Sequence, residues 1–548
     1  MELIANLRNR FALTLARGAS ALRVRPSVES AESYGDLFGG RGGGFAAAKV
    51  NRLTEGWNPG QTGPNRLFSM DGAMLRNRAR ELYLNNPMAK SAVDAFVANV
   101  IETGITPSPK FKDVETRRTW RKAWDRWGGM TAIGGKECDV AGDLTIYELQ
   151  SLWLTEIVIA GGCLLHFVEM PRRGRTLPLA VELIPEERFN ETLTEFNGNQ
   201  VVNGIEIDSA TGATLAYHVW RVEQNDVVGF TNHDEFESLR LPASQCEYGF
   251  FKRRIGQKRG HTLLHAAILH LWALGYYTDN ELLASNIKSS WAYMVKTSAE
   301  SVESFDWAGL MDSDPESGTT DIYGNKIDKH QPGMIFRGAP GDDIAAVGPN
   351  VPQTDSLPWI QLIQRSIAVG TGQTYEEVTG DYSQSNFANA RCSRQTGQRR
   401  YRAVQAFTIS HFSNPTWSRF AFSAVRAGLD GFPAADDMRA NVDEWLDVKH
   451  FPATWESVSP YEDSKTDKED LLMGKKTLRQ VVESSREISL EEHLDEIAEE
   501  QTLIKSKGIV LPTWTEQAQE EMFPDGQSET GTTTAPAQRK QPTKRGAA

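Results

Sequence analysis

Cysteine is scarce in this chain of 548 residues, which contains only Cys138, Cys163, Cys246 and Cys392. The four are scattered, and none forms a C-x-x-C pair. The sequence therefore predicts neither a structural zinc site nor a disulfide framework, and it fits a reducing compartment. Long apolar runs are lacking too, because the most apolar stretch, residues 263–277, is short for a membrane span of about 20 residues. We expect a soluble protein with no membrane partner.

Positive charge is in deficit, since 59 Lys and Arg residues stand against 72 Asp and Glu, for a net charge of −13. This balance argues against a protein that wraps nucleic acid non-specifically over its outer surface. It does not exclude a protein past which nucleic acid slides without being held. The length predicts several core-bearing regions, because single cores stop growing near about 250–300 residues.

Motifs of the common enzyme classes are also missing. The chain has no Walker A, HExxH, GxSxG or dinucleotide-binding fingerprint, and no Lys-Ser/Thr follows its Gly-rich run at P-loop spacing. Three pairs are faint metal-site candidates: His261 with His265, Asp312 with Asp314, and Asp443 with Asp447. Each lacks the further ligands or the spacing that a metal site needs. We predict an architectural protein with no cofactor, no metal and no catalytic residue.

One stretch departs from the acidic average. Residues 382–429 contain no Asp, Glu or Lys but seven arginines. Arginine without lysine suggests oriented contacts to carboxylate or phosphate. The candidate residues are Arg391, Arg394, Arg399 and Arg402, of which the first, second and fourth fall near one helical face. Two interpretations stay open: an ion-pair seam between subunits or within the chain, or contact with passing nucleic acid.

The N-terminal third combines a Gly-rich arm, helices and a β-rich module. Residues 1–66 read as flexible. A helix is predicted to begin at Pro87 with Asn86 as its N-cap. A tryptophan-rich helix follows, and Trp120, Trp124 and Trp127 share one face, which predicts core positions. Residues 161–251 alternate short β-rich runs with Asn-Gly and Thr-Gly turns, which predicts an antiparallel module.

Two helices bracket a mixed insertion in the middle of the chain. The first is predicted at 261–290 and the second at 355–377, with residues 291–354 between them. Their apolar candidate residues are Leu264, Ile268, Leu271, Ile360, Ile363 and Ile367. The first helix is apolar nearly all round in its first half, which implies burial on several sides. A central core helix and a helix flanked by neighbouring subunits of a ring both satisfy this pattern.

A polar, turn-prone run follows the second helix and precedes the arginines: Thr379, Gly380, Asp381, Tyr382, Ser383, Gln384, Ser385 and Asn386. Residues 391–460 continue as a helix with further ordered structure. Residues 461–523 are highly charged with helical spacing, which predicts a small helical domain. Residues 524–548 are rich in Gly, Ser, Thr, Pro and Gln, which predicts a disordered tail.

Five ordered motifs resemble the portal proteins of lambda-like tailed bacteriophages. They lie at residues 78–105 (with Asn-Asn-Pro), 124–142 (with Trp124, Trp127 and Cys-Asp-Val-Ala-Gly), 183–189 (Leu-Ile-Pro-Glu-Glu-Arg-Phe), 256–260 (Gly-Gln-Lys-Arg-Gly) and 375–391 (with Gly-Asp-Tyr-Ser). Any one is weak, but five in this order are specific, and together they cover about residues 67–460. Glu102 stands where the family commonly has Gly.

The resemblance implies an α+β portal fold that assembles as a ring. The implied parts are a mostly helical wing with an antiparallel β-rich module, two stem helices around a small α/β clip, a channel loop and a helical crown. Their predicted ranges are 67–260 (wing), 261–290 and 355–377 (stem helices), 291–354 (clip), 378–390 (channel loop), 391–460 (wing helix and remainder of the wing) and 461–523 (crown).

The resemblance also implies partners and a place in the virion. Portal rings usually have twelve subunits, sit at one capsid vertex and carry double-stranded DNA non-specifically. The implied partners are the terminase large subunit, head-completion or adaptor proteins, and the major capsid and scaffold proteins, with assembly in the host cytoplasm. We expect residues 381–386 to line the channel and the arginines to pair mainly with acids of an adjacent subunit. Alternatives are a metal-dependent nuclease, another virion connector ring and a monomeric scaffold.

Overall fold

The structure is a computed structural model that describes most of the chain between residues 59 and 508. The described ranges are 59–132, 135–170, 175–223, 237–290, 293–295, 335–337, 356–383, 385–455, 459–486 and 488–508. The chain divides into two compact units, Met1–Gly63 and Pro64–Ala548, and every element below belongs to the second. The predicted tail, most of the predicted arm and most of the predicted clip lie outside these ranges.

The first helices end at the β-rich module. They are α1 (Pro64–Asn85), α2 (Pro87–Val100), α3 (Val114–Trp127) and α4 (Ile146–Ala160). The middle helices are α5 (Ile268–Ser290), α6 (Ser356–Thr371), α7 (Tyr375–Thr379), α8 (Phe387–Thr408) and α9 (Asn414–Ala427). The last are α10 (Ala435–Ala440), α11 (Val442–Trp445), α12 (Pro460–Leu472), α13 (Leu478–Arg486) and α14 (Leu490–Lys507).

The strands form four sheets. Their bounds are β1 (Thr106–Pro109), β2 (Gly162–Glu169), β3 (Leu179–Pro185), β4 (Glu195–Phe196), β5 (Asn199–Val202), β6 (Ile205–Ile207), β7 (Thr214–Trp220), β8 (Ser238–Pro242), β9 (Cys246–Phe250), β10 (Tyr293–Val295), β11 (Ile335–Arg337) and β12 (Val448–Phe451). One sheet has the order β3-β2-β9 and another β4-β5-β6-β7-β8, both antiparallel. The predicted antiparallel module is therefore confirmed. β1 pairs with β12 antiparallel, and β10 pairs with β11 parallel.

The predicted cap of α2 is confirmed in detail. The Asn86 side chain accepts hydrogen bonds from the backbone N–H groups of Met88 and Ala89, both at 3.0 Å. Pro87 occupies the first helical turn, where its missing N–H group costs nothing. The side-chain amide of Asn86 also donates to the carbonyl oxygen of Leu271 at 3.1 Å. One side chain thus starts α2 and ties it to α5.

The main core lies among α2, α3, α4, α8, α9 and the three-stranded sheet. Trp120, Trp124 and Trp127 of α3 are fully buried there, as their shared helical face predicts. Trp124 packs against Trp417 and Phe420 of α9, with ring centroids 5.4 and 5.2 Å apart. A second, smaller apolar cluster joins the five-stranded sheet to the three-stranded sheet. Within the described part of the chain, no helix is both long and apolar enough to cross a membrane.

The departure of Glu102 from the family pattern has a backbone counterpart. Glu102 follows α2 and has a φ angle of 48°, in the left-handed region that favours glycine. A glycine at this position would adopt the same turn without a side-chain clash. The local strain explains why glycine suits the position.

The predicted start of the first stem helix differs from the structure by a few residues. The predicted first stem helix opens with a 3-10 turn, Leu263–Ala266, before α5 begins at Ile268. The cause is Thr262, whose hydroxyl accepts from the Leu264 N–H group and tightens this turn. The range 355–377 of the second stem helix includes an end predicted at residues 370–372 and a short capped continuation. The structure has both, because Gly372, with a φ of 77°, ends α6 and α7 follows it.

His450 on β12 gives the fold a predicted acid sensitivity. Its imidazole is buried, neither ring nitrogen has a hydrogen-bond partner among the described residues, and burial lowers its pKa to about 4. An unfolded histidine titrates near about 6.5, so this site stabilises the fold fully above that pH. The contribution is lost as pH falls from about 6.5 toward 4. We expect His450→Phe to lose less melting temperature than wild type between pH 7.5 and pH 5.

The control for this measurement is His270→Phe, because His270 is exposed on α5. It should keep the pH dependence of wild type. An unchanged pH dependence in His450→Phe would show that another group carries the acid sensitivity.

Candidate functional site

The polar run forms a short loop between α7 and α8. Thr374 and Glu377 make a capping box, in which each side chain accepts a hydrogen bond from the backbone N–H group of the other residue, so α7 begins at Tyr375. Gly380 ends α7 with a φ of 67°, which glycine adopts without strain. Asn386 caps α8 by accepting from the Asn389 N–H group at 2.8 Å. The loop proper is therefore residues 380–386, and the predicted range of 378–390 is too long because α8 begins at Phe387.

Hydrogen bonds within the chain hold this loop. The Asp381 carboxylate accepts from the Ser383 N–H group at 3.0 Å and from the Tyr375 hydroxyl at 3.1 Å. Hydrogen bonds from Ser383 and Tyr375 lower the pKa of Asp381, so its charge is retained at neutral pH. The Glu376 carboxylate accepts from the hydroxyls of Ser385 and Ser393, both at 3.1 Å. Glu376 thus joins the end of the loop to α8.

The exposed part of the loop is its apex. Tyr382 is 60% exposed and Ser383 is exposed beside it. Gln384, which belongs to the predicted site, lies outside the described residues. Asn386 is also exposed, but its side chain is engaged in capping α8. The apex therefore presents an aromatic ring and a small hydroxyl, next to the fixed charge of Asp381.

The base of the loop is rigidly packed. The Tyr401 hydroxyl of α8 donates to the Glu377 carboxylate at 3.0 Å, and the Tyr401 ring packs edge-on against Phe96 of α2. Burial, reinforced by the charge of Glu377, raises the pKa of Tyr401. A Cβ atom at Gly397 would lie 2.9 Å from the Glu377 carboxylate. A side chain at 397 would therefore displace the Glu377 carboxylate from its present position.

We expect Glu376→Ala to loosen the loop without unfolding the chain. The change removes two charge-assisted hydrogen bonds, and the loss of about 1.4 kcal/mol of local stability increases opening tenfold. Hydrogen–deuterium exchange should therefore rise roughly tenfold at residues 380–386 and stay unchanged in α4. Glu444→Ala, on the exposed surface of α11, is the matched control. Equal exchange in the two variants would contradict the bridging role of Glu376.

The predicted arginines do not converge on one site in the described chain. Arg391 lies 3.1 Å from the Asp463 carboxylate and 3.7 Å from that of Glu462, both on α12. The Arg402 guanidinium lies over the ring of Trp455, 5.8 Å from its centroid. Arg394 and Arg399 are exposed and form no ion pair within the described ranges. Arg391 thus forms ion pairs within the chain, which is one of the two kinds of ion pairing that the sequence left open.

The two helices predicted as stems divide their apolar residues between two faces. Leu264, Ile268, Leu271 and Ile367 are buried in the main core, and Ile360 and Ile363 pack against it. Other apolar residues of the two helices are exposed to solvent. They are Leu269, Trp272 and Tyr276 on α5, which share one face by helical spacing, and Leu357, Trp359, Leu362 and Val369 on α6. These seven residues are named the exposed apolar face of the pair, and exposed apolar patches mark interaction sites.

The exposed apolar face contains three large aromatic side chains. Trp272 is 60% exposed and stacks on Tyr276, with ring centroids 5.7 Å apart and planes within 7°. Trp359 on α6 is 55% exposed. The chain itself therefore buries only one side of the first helix, which is apolar nearly all round.

The residues considered as faint metal-site candidates do not form a metal-binding cluster in the described part of the chain. The rings of His261 and His265 contact each other with centroids 5.0 Å apart, and His265 Nδ1 bonds to the Thr262 carbonyl oxygen. Asp447 forms an ion pair with Lys110 at 2.7 Å. Among the described residues, no group of three or more His, Cys, Asp or Glu side chains could hold a metal ion. Asp312 and Asp314 lie outside those residues.

A buried ion pair is the main feature that the sequence reasoning missed. Arg259 and Glu186 are both fully buried and form an ion pair, and Arg259 also donates to the Asn203 carbonyl oxygen at 2.6 Å. The Arg259 guanidinium lies between the rings of Phe68 and Phe189, at 4.8 and 4.1 Å. In the sequence, Arg259 ends a basic run that looks exposed. Only its place in the Gly-Gln-Lys-Arg-Gly motif distinguished it.

The described chain thus presents a loop apex held by hydrogen bonds and an exposed apolar face on two packed helices. A sequence model of the phage portal proteins of the lambda family matches residues 50–405. The chain belongs to this family of portal proteins. Such proteins are structural components of virions, which agrees with the expectation that the chain is not an enzyme.

Solved structures of gene transfer agent (GTA) particles are similar at low identity. The neck of a native GTA particle computed with C12 symmetry has 12% identity and a TM-score of 0.37, over 75% of this chain and 92% of that one. The neck of an empty GTA particle computed with C6 symmetry has 13% identity and a TM-score of 0.36, over 68% of this chain and 93% of that one. The virion of a native GTA particle has 12% identity and a TM-score of 0.36, over 76% of this chain and 97% of that one.

Proposed function

We propose that this chain forms a ring, of twelve subunits as is usual for its family, at one vertex of a capsid. DNA would enter through the central channel during packaging and leave through it during ejection. The observation that carries this proposal is the exposed apolar face of α5 and α6 in a chain of the portal family. Neighbouring copies in a closed ring can cover this face on every subunit, because each copy presents the same surfaces.

The proposed ring gives each part of the fold a role. The wing comprises α1 to α4 with the β-rich module, and α8 and α9 complete it. α5 and α6 are the stem helices, β10 and β11 belong to the clip, and α12 to α14 form the crown. In this reading the clip docks the terminase large subunit and later the head-completion proteins. The wing faces the major capsid and scaffold proteins.

The loop apex suits contact with sliding DNA. Each phosphate that Lys or Arg neutralises adds salt-dependent binding affinity, and a channel through which DNA moves must avoid tight binding. Tyr382 and Ser383 carry no positive charge, and the retained charge of Asp381 repels phosphates. The capping box at α7 and the Glu376 bridge hold this apex in place. A loop of this kind can guide a duplex without trapping it.

The experiment that tests the channel assignment adds one positive charge at the apex. We expect Ser383→Arg to leave ring assembly intact but to slow packaging, measured as nuclease-protected DNA in particles assembled with this portal. Ser484→Arg, which adds the same charge to an exposed position of α13, should package normally. Normal packaging by Ser383→Arg in intact rings would place residues 380–386 away from the DNA.

A further inference from the structure

The outward face of α3 carries a row of positive charges. Its inward face is anchored by the three buried tryptophans, and Asp113 caps its first turn by accepting from the Thr116 N–H group at 2.8 Å. The cations that line the side of α3 facing α14 are Arg117, Arg118, Arg121 and Lys122. Arg121 also pairs with Asp125 of the same helix at 3.5 Å, and Arg117 donates to the Phe111 carbonyl oxygen at 2.7 Å.

A row of negative charges on α14 faces these cations. The facing carboxylates are Glu492, Asp495, Glu496 and Glu499. A cavity of about 410 Å³ lies between the two rows. Arg117 and Asp495 approach to 2.7 Å, and Arg118 forms an ion pair with Glu499. One wall of the cavity is thus basic and the other acidic.

Apolar packing contributes little to holding the crown in place. Within the described residues, α12 and α14 contain no buried residue, and Val482 is the buried apolar residue of α13. Neither hydrophobic cluster includes a residue beyond Trp455. Further ion pairs connect the crown to the rest of the chain, including Lys449 with Glu483 at 2.6 Å. Charge is therefore the main attachment of the crown.

We propose that the outward face of α3 is a second DNA-binding surface, which recognises the phosphodiester backbone, and that α14 covers it. The carboxylates of α14 occupy the places that phosphates would take. Three of the four cations are arginines, whose planar guanidinium groups suit phosphate oxygens. This surface is separate from the loop between α7 and α8. The proposal does not depend on a ring, because all the residues involved lie on one chain.

The cover should open under conditions that weaken charge attraction. Exposed ion pairs are individually weak and are screened by salt, so a segment held mainly by them detaches more readily than a packed one. DNA competes directly with α14 for the same cations. Each phosphate that pairs with one of these cations increases the salt dependence of DNA binding.

The test reverses the charges of the cover in the full chain. We expect Asp495→Lys with Glu499→Lys to repel α14 from α3, which raises hydrogen–deuterium exchange across residues 490–507. Fluorescence anisotropy with a DNA duplex of about 20 base pairs should show at least roughly tenfold tighter binding than wild type in about 100 mM salt. The control is Glu195→Lys with Glu237→Lys, which makes the same change of net charge at exposed positions of the β-rich module. It should bind the duplex no more than slightly better than wild type.

A charge swap separates the cover from the binding surface. Adding Arg117→Asp and Arg118→Glu to the Asp495→Lys, Glu499→Lys variant restores two opposite-charge pairs. We expect slow exchange in α14 to return and the increase in duplex affinity to disappear. Duplex affinity equal to that of the control with two lysines in the β-rich module would overturn the site. Unchanged exchange in α14 after reversal would overturn the cover. Tighter binding of polyglutamate than of the duplex would assign the surface to an acidic protein segment and overturn the DNA proposal.

Discussion

Arg259→Met should cost about 3–5 kcal/mol of stability, the largest single-residue effect that we expect in this chain. The substitution keeps much of the side-chain volume but removes the positive charge between Phe68 and Phe189. It leaves the carboxylate of Glu186 buried, with the Tyr248 hydroxyl and the distant guanidinium of Arg76, at 3.9 Å, as its remaining polar partners. A buried charge that loses its main partner destabilises strongly because water cannot replace that partner.

The measurement is the thermal and urea unfolding of the variant beside Arg253→Met. Arg253 belongs to the same basic run but is exposed, so its substitution should change stability by no more than about 0.5 kcal/mol. A double variant, Arg259→Met with Glu186→Gln, should recover part of the loss, since it removes the buried charge that has lost its main partner. Equal stability of Arg259→Met and Arg253→Met would contradict the role of the buried pair.

Trp272→Glu combined with Trp359→Glu should abolish ring assembly and leave a folded monomer. Both indoles are more than half exposed in the single chain, so their replacement costs the monomer little. In a ring they would be covered by a neighbour, and each carboxylate would then lose its water without finding a partner. Burial of an unpaired carboxylate costs several kcal/mol, and the cost is repeated at every interface of a closed ring.

Tyr461→Glu is the control, because Tyr461 on α12 is an aromatic residue even more exposed than the two tryptophans. This control should assemble as wild type does. Sedimentation and circular dichroism together distinguish a folded monomer from an unfolded chain. Rings that persist in the double variant would move the subunit interface away from α5 and α6.

The sequence was most informative where one residue determines local geometry. Asn86 before Pro87 predicted the start of α2, and the helical spacing of Trp120, Trp124 and Trp127 predicted a buried face. These features depend on short-range rules of capping and periodicity. The alternation of β-rich runs with Asn-Gly turns likewise predicted the antiparallel sheets. All of these predictions are confirmed.

Long-range partners were beyond the sequence. Nothing in a basic run tells that Arg259 turns inward to Glu186, which is 73 residues away along the chain. Arg391 was recognised as an ion-pair candidate, but its partner Asp463 could have lain in the same chain or in a neighbour. The complementary rows on α3 and α14 were missed because each reads alone as an ordinary solvated face. Periodicity identifies a face but does not identify what covers it.

The loop between α7 and α8 shows both what the sequence can predict and what it cannot. Its polar composition predicted a connection between two helices, but the predicted range of 378–390 was too long. Its ends are determined by Gly380, which ends α7, and by Asn386, which caps α8. Which side chains remain available depends on hydrogen bonds to Tyr375 and Glu376. Those bonds leave Tyr382 and Ser383 at the apex. The direction in which the apex points within an assembly stays a prediction.

The mass of the purified full-length protein in native solution tests the central claim most directly. Native mass spectrometry with electron microscopy of the same sample gives both the number of subunits and the presence of a channel. A ring predicts hollow particles at about twelve times the chain mass of 60.9 kDa. A chain that stays monomeric at high concentration and at varied salt would contradict the account, because the apolar face of α5 and α6 would then have no partner.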